Sequence, residues 1–74
     1  MSRLRPVAGR DLVAALKRKG FEVVGIKGSH HKLVHPDGRW TVVPVHGREE
    51  IRPKLLAQIL RQCGVPWEQV LDLL

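Results

Sequence analysis

Apolar residues first recur at helical spacing over residues 10–19, where Leu12, Val13, Ala15 and Leu16 fall on one stripe. Asp11 sits in the first turn and Lys17, Arg18 and Lys19 in the last, and both placements complement the helix dipole. Gly20 follows as a natural C′ residue. Ala8 or Gly9 has to serve as N-cap, and neither offers a side-chain oxygen. The pattern then changes to strands. Residues 21–27 are rich in β-branched side chains, with Gly25 as an interruption. Gly28 and Ser29 punctuate, and residues 31–35 form a second strand with Leu33 on one face and Lys32 and Val34 on the other. Pro36, Asp37 and Gly38 signal a turn, after which residues 39–43 read as a third strand stopped by Pro44.

A polar connection, residues 45–50, leads to a second helix that begins near Pro53, a residue suited to the first helical position. Leu55, Leu56, Ile59, Leu60 and Cys63 are its expected buried stripe, and Gly64 ends it. Pro66 opens a last short helix with Trp67, Val70, Leu71 and Leu74 as its apolar face. The expected class is α+β, in the order α-β-β-β-α, with a three-stranded antiparallel meander and a short extra C-terminal helix. The helices cover one sheet face and leave the other free. This order is that of double-stranded-RNA-binding domains.

Composition narrows the picture. The 74 residues make a single domain, 1–74, with residues 1–8 expected as a flexible or loosely packed arm. So short a chain excludes a dinucleotide fold or a barrel. Thirteen Lys and Arg against seven Asp and Glu leave a net charge of +6, which suits a polyanion or an acidic protein partner. The lone Cys63 excludes an intrachain disulfide and a cysteine-based zinc knuckle. No apolar run approaches a membrane span, and the basic start lacks the apolar stretch of a signal peptide. A reducing, cytoplasmic setting is the expectation.

The candidate chemistry is concentrated in histidines. His30, His31 and His35 fall within six residues, His46 follows, and Lys27, Lys32, Arg39 and Arg48 are near in sequence. Histidine donates and accepts protons near neutrality, and cations hold a phosphate and stabilise its developing charge. The set suits cleavage of RNA by its own 2′-hydroxyl, a route that requires no metal. With Leu33 facing the core, His31 and His35 point to the core side, and His30, Lys32 and Val34 point outward. A strand bulge would reverse this assignment. His30 is the first choice for catalysis, and His46 or a water is the second proton-transfer group. His31 reads better as a packed or hydrogen-bonded residue. A metal set drawn from His30, His31, His35, His46 and Asp37 lacks diagnostic spacing. Ser29 is a turn residue or a phosphate contact rather than a nucleophile, because no Ser-His-Asp order is evident. Asp37 is turn chemistry, and Glu49 and Glu50 flank the approach to the second helix. Trp40 either stacks on a base or joins the core, and Trp67 is a core or rim contact of the last helix.

Gly20-Phe21, Gly28-Ser29-His30-His31, Pro44-Val45-His46-Gly47 and Ile51, followed by an apolar helix, resemble the HicA family, also called YcfA-like, of mRNA interferase toxins. The resemblance runs from about Leu12 to Leu73. It implies a double-stranded-RNA-binding-domain-like fold, mRNA cleavage with no metal or other cofactor, and a catalytic histidine after Gly-Ser, which is His30 here. It also implies an acidic HicB-type antitoxin that covers the active-site face, and translation arrest when that antitoxin is lost. With the charge pattern, it nominates Lys27, Gly28, Ser29, Lys32, Arg39, Arg48 and Lys54 as RNA-binding. Pro53-Lys54 stands where relatives often carry Gly-Thr, which adds charge and removes a hydroxyl. Two other classes fit the composition: a non-catalytic RNA-binding module of the same fold, and an interaction subunit built for an acidic partner.

Overall fold

The computed structural model describes residues 3–74. In chain order it contains β1 (Val7–Ala8), α1 (Gly9–Arg18), β2 (Glu22–Lys27), β3 (His30–Val34), β4 (Trp40–Pro44), β5 (Glu50–Ile51), α2 (Pro53–Cys63) and α3 (Trp67–Leu73). The expected α+β class holds, with the three-stranded antiparallel sheet in the order β2-β3-β4. The three helices and the strands β2, β3 and β4 fall within a residue or two of their sequence-based bounds, whereas the sequence pattern predicts neither β1 nor β5. Phe21 lies just before β2 rather than in it, and Pro44 closes β4 rather than stopping the strand before it. An edge strand tolerates that proline because its missing N–H breaks no ladder shared by two neighbours.

One face of the sheet carries the core. Leu33 and Val43 are fully buried there with Leu12 and Leu16 of α1, Leu56 and Ile59 of α2, and Val70 of α3. Register on this sheet is set by burial: a one-residue slip of β3 would place Lys32 where Leu33 sits. Truncating Leu33 to alanine would cost about 3 kcal/mol through lost transfer energy and a cavity. Buried Thr41 donates its hydroxyl to Gln62 of α2 at 2.7 Å, so its one polar side-chain group is satisfied.

The expected bulge problem is resolved by its location. The register shifts between Val23 and Gly25 on β2, while β3 pairs with β4 without interruption from His30↔Pro44 to Val34↔Trp40. Alternation along β3 therefore stays intact, and His30, Lys32 and Val34 share the helix-free face.

Three expectations are corrected. The N-terminal arm is tied down at its inner end: Val7 is buried, and Val7–Ala8 pairs antiparallel with Glu50–Ile51. Met1 and Ser2, the outer end of that arm, lie outside the described residues. Leu55 is 39% exposed, because it falls at the margin of the α2 stripe. Leu74 lies beyond the end of α3 and is exposed. Among the described residues, no helix is long and apolar enough to cross a membrane.

Candidate nucleic-acid interface and active site

The β2–β3 hairpin closes through two residues, Gly28 and Ser29, with Lys27 paired to His30. Gly28 has φ of +60°, as a two-residue hairpin loop with glycine first demands. This turn lifts Ser29 toward the segment that follows β4. The Val45 N–H donates to the Ser29 carbonyl at 2.7 Å. The Ser29 hydroxyl and His46 Nε2 share a hydrogen bond of 2.8 Å. A neutral Nε2 without a proton accepts from the hydroxyl, and a protonated one donates to it. Two histidines far apart in sequence are thus gathered at one end of the sheet, His30 on the strand and His46 on the next loop.

His30 is exposed and its ring makes no hydrogen bond to a described residue. It lines a shallow cavity of about 380 Å³ on the free face with Gly25, Lys27, Lys32 and Val42. Lys27 is directly across the hairpin from His30, and Lys32 is two residues along the same face. His46 lines a separate cavity of about 260 Å³ with Pro44, Ile51 and Leu55 and the charged Glu49, Glu50 and Arg52. Pro44, the cross-strand partner of His30, lines the His46 cavity. A wider cavity of about 500 Å³, bounded by Arg5, Val7, Asp11, Glu50 and Leu74, contains no histidine.

His31 is half-buried on the other face, with Nδ1 3.3 Å from the Ser29 carbonyl, and so braces the turn. Ser29 lacks the third member of a nucleophilic triad, since no described carboxylate hydrogen-bonds His46. Arg48 is exposed in the turn that the Glu49 N–H closes onto the His46 carbonyl at 2.8 Å. Lys54 is exposed on the first turn of α2, next to Leu55 at the His46 cavity. Arg52 caps that helix without a side-chain hydrogen bond, so Pro53-Lys54 supplies no hydroxyl there.

Arg39 is not brought to this surface. It precedes β4 at the opposite end of the sheet, and its Nε donates to both Asp37 carboxylate oxygens, at 3.0 and 2.8 Å. Its Nη1 donates to the Cys63 carbonyl at the end of α2, and its guanidinium carbon lies 5.3 Å from the Phe21 ring centre. The Arg39 guanidinium and backbone N–H hold the Asp37 carboxyl down at about 2. His35 belongs to the same cluster. Its ring meets Phe21 edge-on, with centres 5.1 Å apart, and fills the space that a Cβ on Gly20 would need. Its Nδ1 is 3.1 Å from the Asp37 N–H and 3.0 Å from Oδ1, so a neutral ring accepts the first and a protonated ring donates to the second. Cys63 is buried against this end, and burial pushes its thiol up to about 11. Among the described residues, no three His, Cys, Asp or Glu side chains converge as a metal-ligand set.

Residues 9–65 match the family described as HicA toxin of bacterial toxin-antitoxin. The chain belongs to the HicA toxin family. The toxin role in a toxin–antitoxin pair, and an antitoxin as partner, come with that membership. The matched span takes in α1, the whole three-stranded sheet and α2, so every histidine of the toxin lies within it. Among curated proteins, none matches the chain.

Proposed function

We propose that this toxin is an endoribonuclease that cleaves mRNA through the substrate's own 2′-hydroxyl and so arrests translation. His30 and His46 are the proton carriers. One takes the 2′ proton as the 2′ oxygen attacks phosphorus. The other protonates the 5′ oxygen as its bond to phosphorus breaks. The products carry a 2′,3′-cyclic phosphate and a 5′-hydroxyl, and the two histidines end with their protons exchanged. Lys27 and Lys32 hold the phosphate and stabilise charge on its oxygens. The Ser29 hydroxyl and the Gly28-Ser29 turn bring backbone and hydroxyl donors to the same linkage, and Arg48 and Lys54 extend the cationic border.

The observation that carries the reading is the 2.8 Å Ser29–His46 hydrogen bond beside an exposed, unpartnered His30 opposite Lys27. Membership of a family known for RNase activity supports it. The acidic antitoxin would neutralise the toxin by covering this face, competing with RNA for the same lysines. The test is purified toxin on a defined RNA, with and without EDTA, with product ends mapped. Cyclic-phosphate ends at rates unchanged by EDTA are expected. Strict loss of cleavage in EDTA would overturn the 2′-hydroxyl route.

A further inference from the structure

Trp40 is the one large aromatic ring that the core does not use. It is 55% exposed, whereas Trp67 is 6% exposed. Its register opposite Val34 puts it on the helix-free face, the face that carries Lys32 and His30. Lys32 Nζ lies 5.0 Å from the Trp40 ring centre, so a cation already rests on the indole. Trp40 opens the edge strand β4 and pairs with Val34 of β3, which fixes its backbone position relative to His30. His30 is four residue steps along β3 from Val34, the position opposite Trp40, roughly 13 Å at the rise of a strand.

Resting on the RNA reading of the His30 site, we propose that Trp40 is a base-stacking subsite and that the toxin takes single-stranded RNA. A base paired inside a duplex has both faces occupied by its neighbours and cannot lie on an indole. A base in an unpaired strand can. When it does, Lys32 swings from the ring to the adjoining phosphate, so one residue pair holds both the base and the backbone. The stacked nucleotide is set apart from the scissile linkage by the His30-to-Trp40 spacing. Trp40 is thus a binding residue and touches no reacting atom. Lys32 on the ring and Lys27 farther along the face suit a polyanion, with Glu22 the one carboxylate in the Trp40 row, and RNA supplies a flat base for the indole together with phosphates for the lysines.

The probe is a short 2′-O-methyl oligoribonucleotide of mixed sequence, which the 2′-hydroxyl route cannot cleave. Adding it to the wild-type toxin should quench tryptophan fluorescence, with buried Trp67 as the constant background. Trp40→Ala should abolish the quench and weaken binding by roughly tenfold, the loss expected of one stacked base. Trp40→Phe should restore most of the affinity, and the same sequence annealed as a duplex should not quench. Circular dichroism and thermal melting confirm that both variants fold. Equal RNA affinity in a folded Trp40→Ala variant would overturn the proposal. So would intact RNA affinity with lost antitoxin affinity, which would assign the ring to the protein partner. Quenching by an ordinary RNA that is then left uncleaved would uphold the subsite and remove the nuclease reading.

Discussion

The two ends of the sheet are built from the same kinds of residue and use them in opposite ways. At one end, His35, Asp37 and Arg39 satisfy one another, Phe21 and the Cys63 carbonyl. At the other, Lys27, His30 and Lys32 line an open face, and the nearby side-chain hydrogen bonds join Ser29 to His46 and His31 to the Ser29 carbonyl, leaving the His30 ring out. A histidine beside an arginine and a carboxylate marks the end where the fold is fastened. A histidine with no partner beside lysines marks the end left free for a ligand. Residue type alone does not separate the two; the state of each hydrogen-bonding group does.

The largest effect that sharpens this contrast is at His46. His46→Ala should slow cleavage by about 10²- to 10⁴-fold, the range for a lost general acid or base, with the thermal midpoint unchanged. Full activity would remove His46 from the free end and leave a water as the second proton carrier.

Next comes the fastened end. Arg39→Ala removes charge-assisted hydrogen bonds and the stacking on Phe21, and should cost about 2 kcal/mol in denaturant unfolding. Cleavage per folded molecule should persist. A folded Arg39→Ala toxin that no longer cleaves would break the comparison and return Arg39 to the site.

The smallest effect is in the acid limb. Asp37 has its carboxyl lowered from 3.8 to about 2 in the folded chain, first by the Arg39 side chain and then by its backbone N–H. A lowered carboxyl stabilises the fold above its unfolded value and loses that contribution as pH falls through the folded one. The melting gap between wild type and Asp37→Asn should therefore be full above pH 3.8 and close as pH falls toward about 2. A gap that stays constant through that window would show that the Asp37 charge does not fasten this end.

Much of this arrangement is legible in the sequence. The change from helical to alternating spacing located α1, the three strands and α2, and one buried residue, Leu33, sufficed to assign His30 outward. The Gly28-Ser29 pair marked the hairpin. Other features carried no local signal. Val7–Ala8 and Glu50–Ile51 are too short to show alternation, and their pairing is visible only in three dimensions. The placement of Arg39 at the far end of the sheet involves a carbonyl 24 residues away, which its nearness to the histidines in sequence does not reveal. The outward side of Trp40 required the register across the Pro36-Asp37-Gly38 turn, where Thr41 and Val43 take the core face.

The most direct measurement crosses the two ends. His30→Ala and His35→Ala are compared for thermal midpoint and for RNA cleavage per folded molecule. His30→Ala should keep its midpoint and lose cleavage. His35→Ala should lose about 1–2 kcal/mol from the aromatic contact with Phe21 and the bond to the Asp37 N–H, and keep cleavage. Cleavage surviving in His30→Ala, or vanishing in a folded His35→Ala, would contradict the assignment of chemistry to the free end.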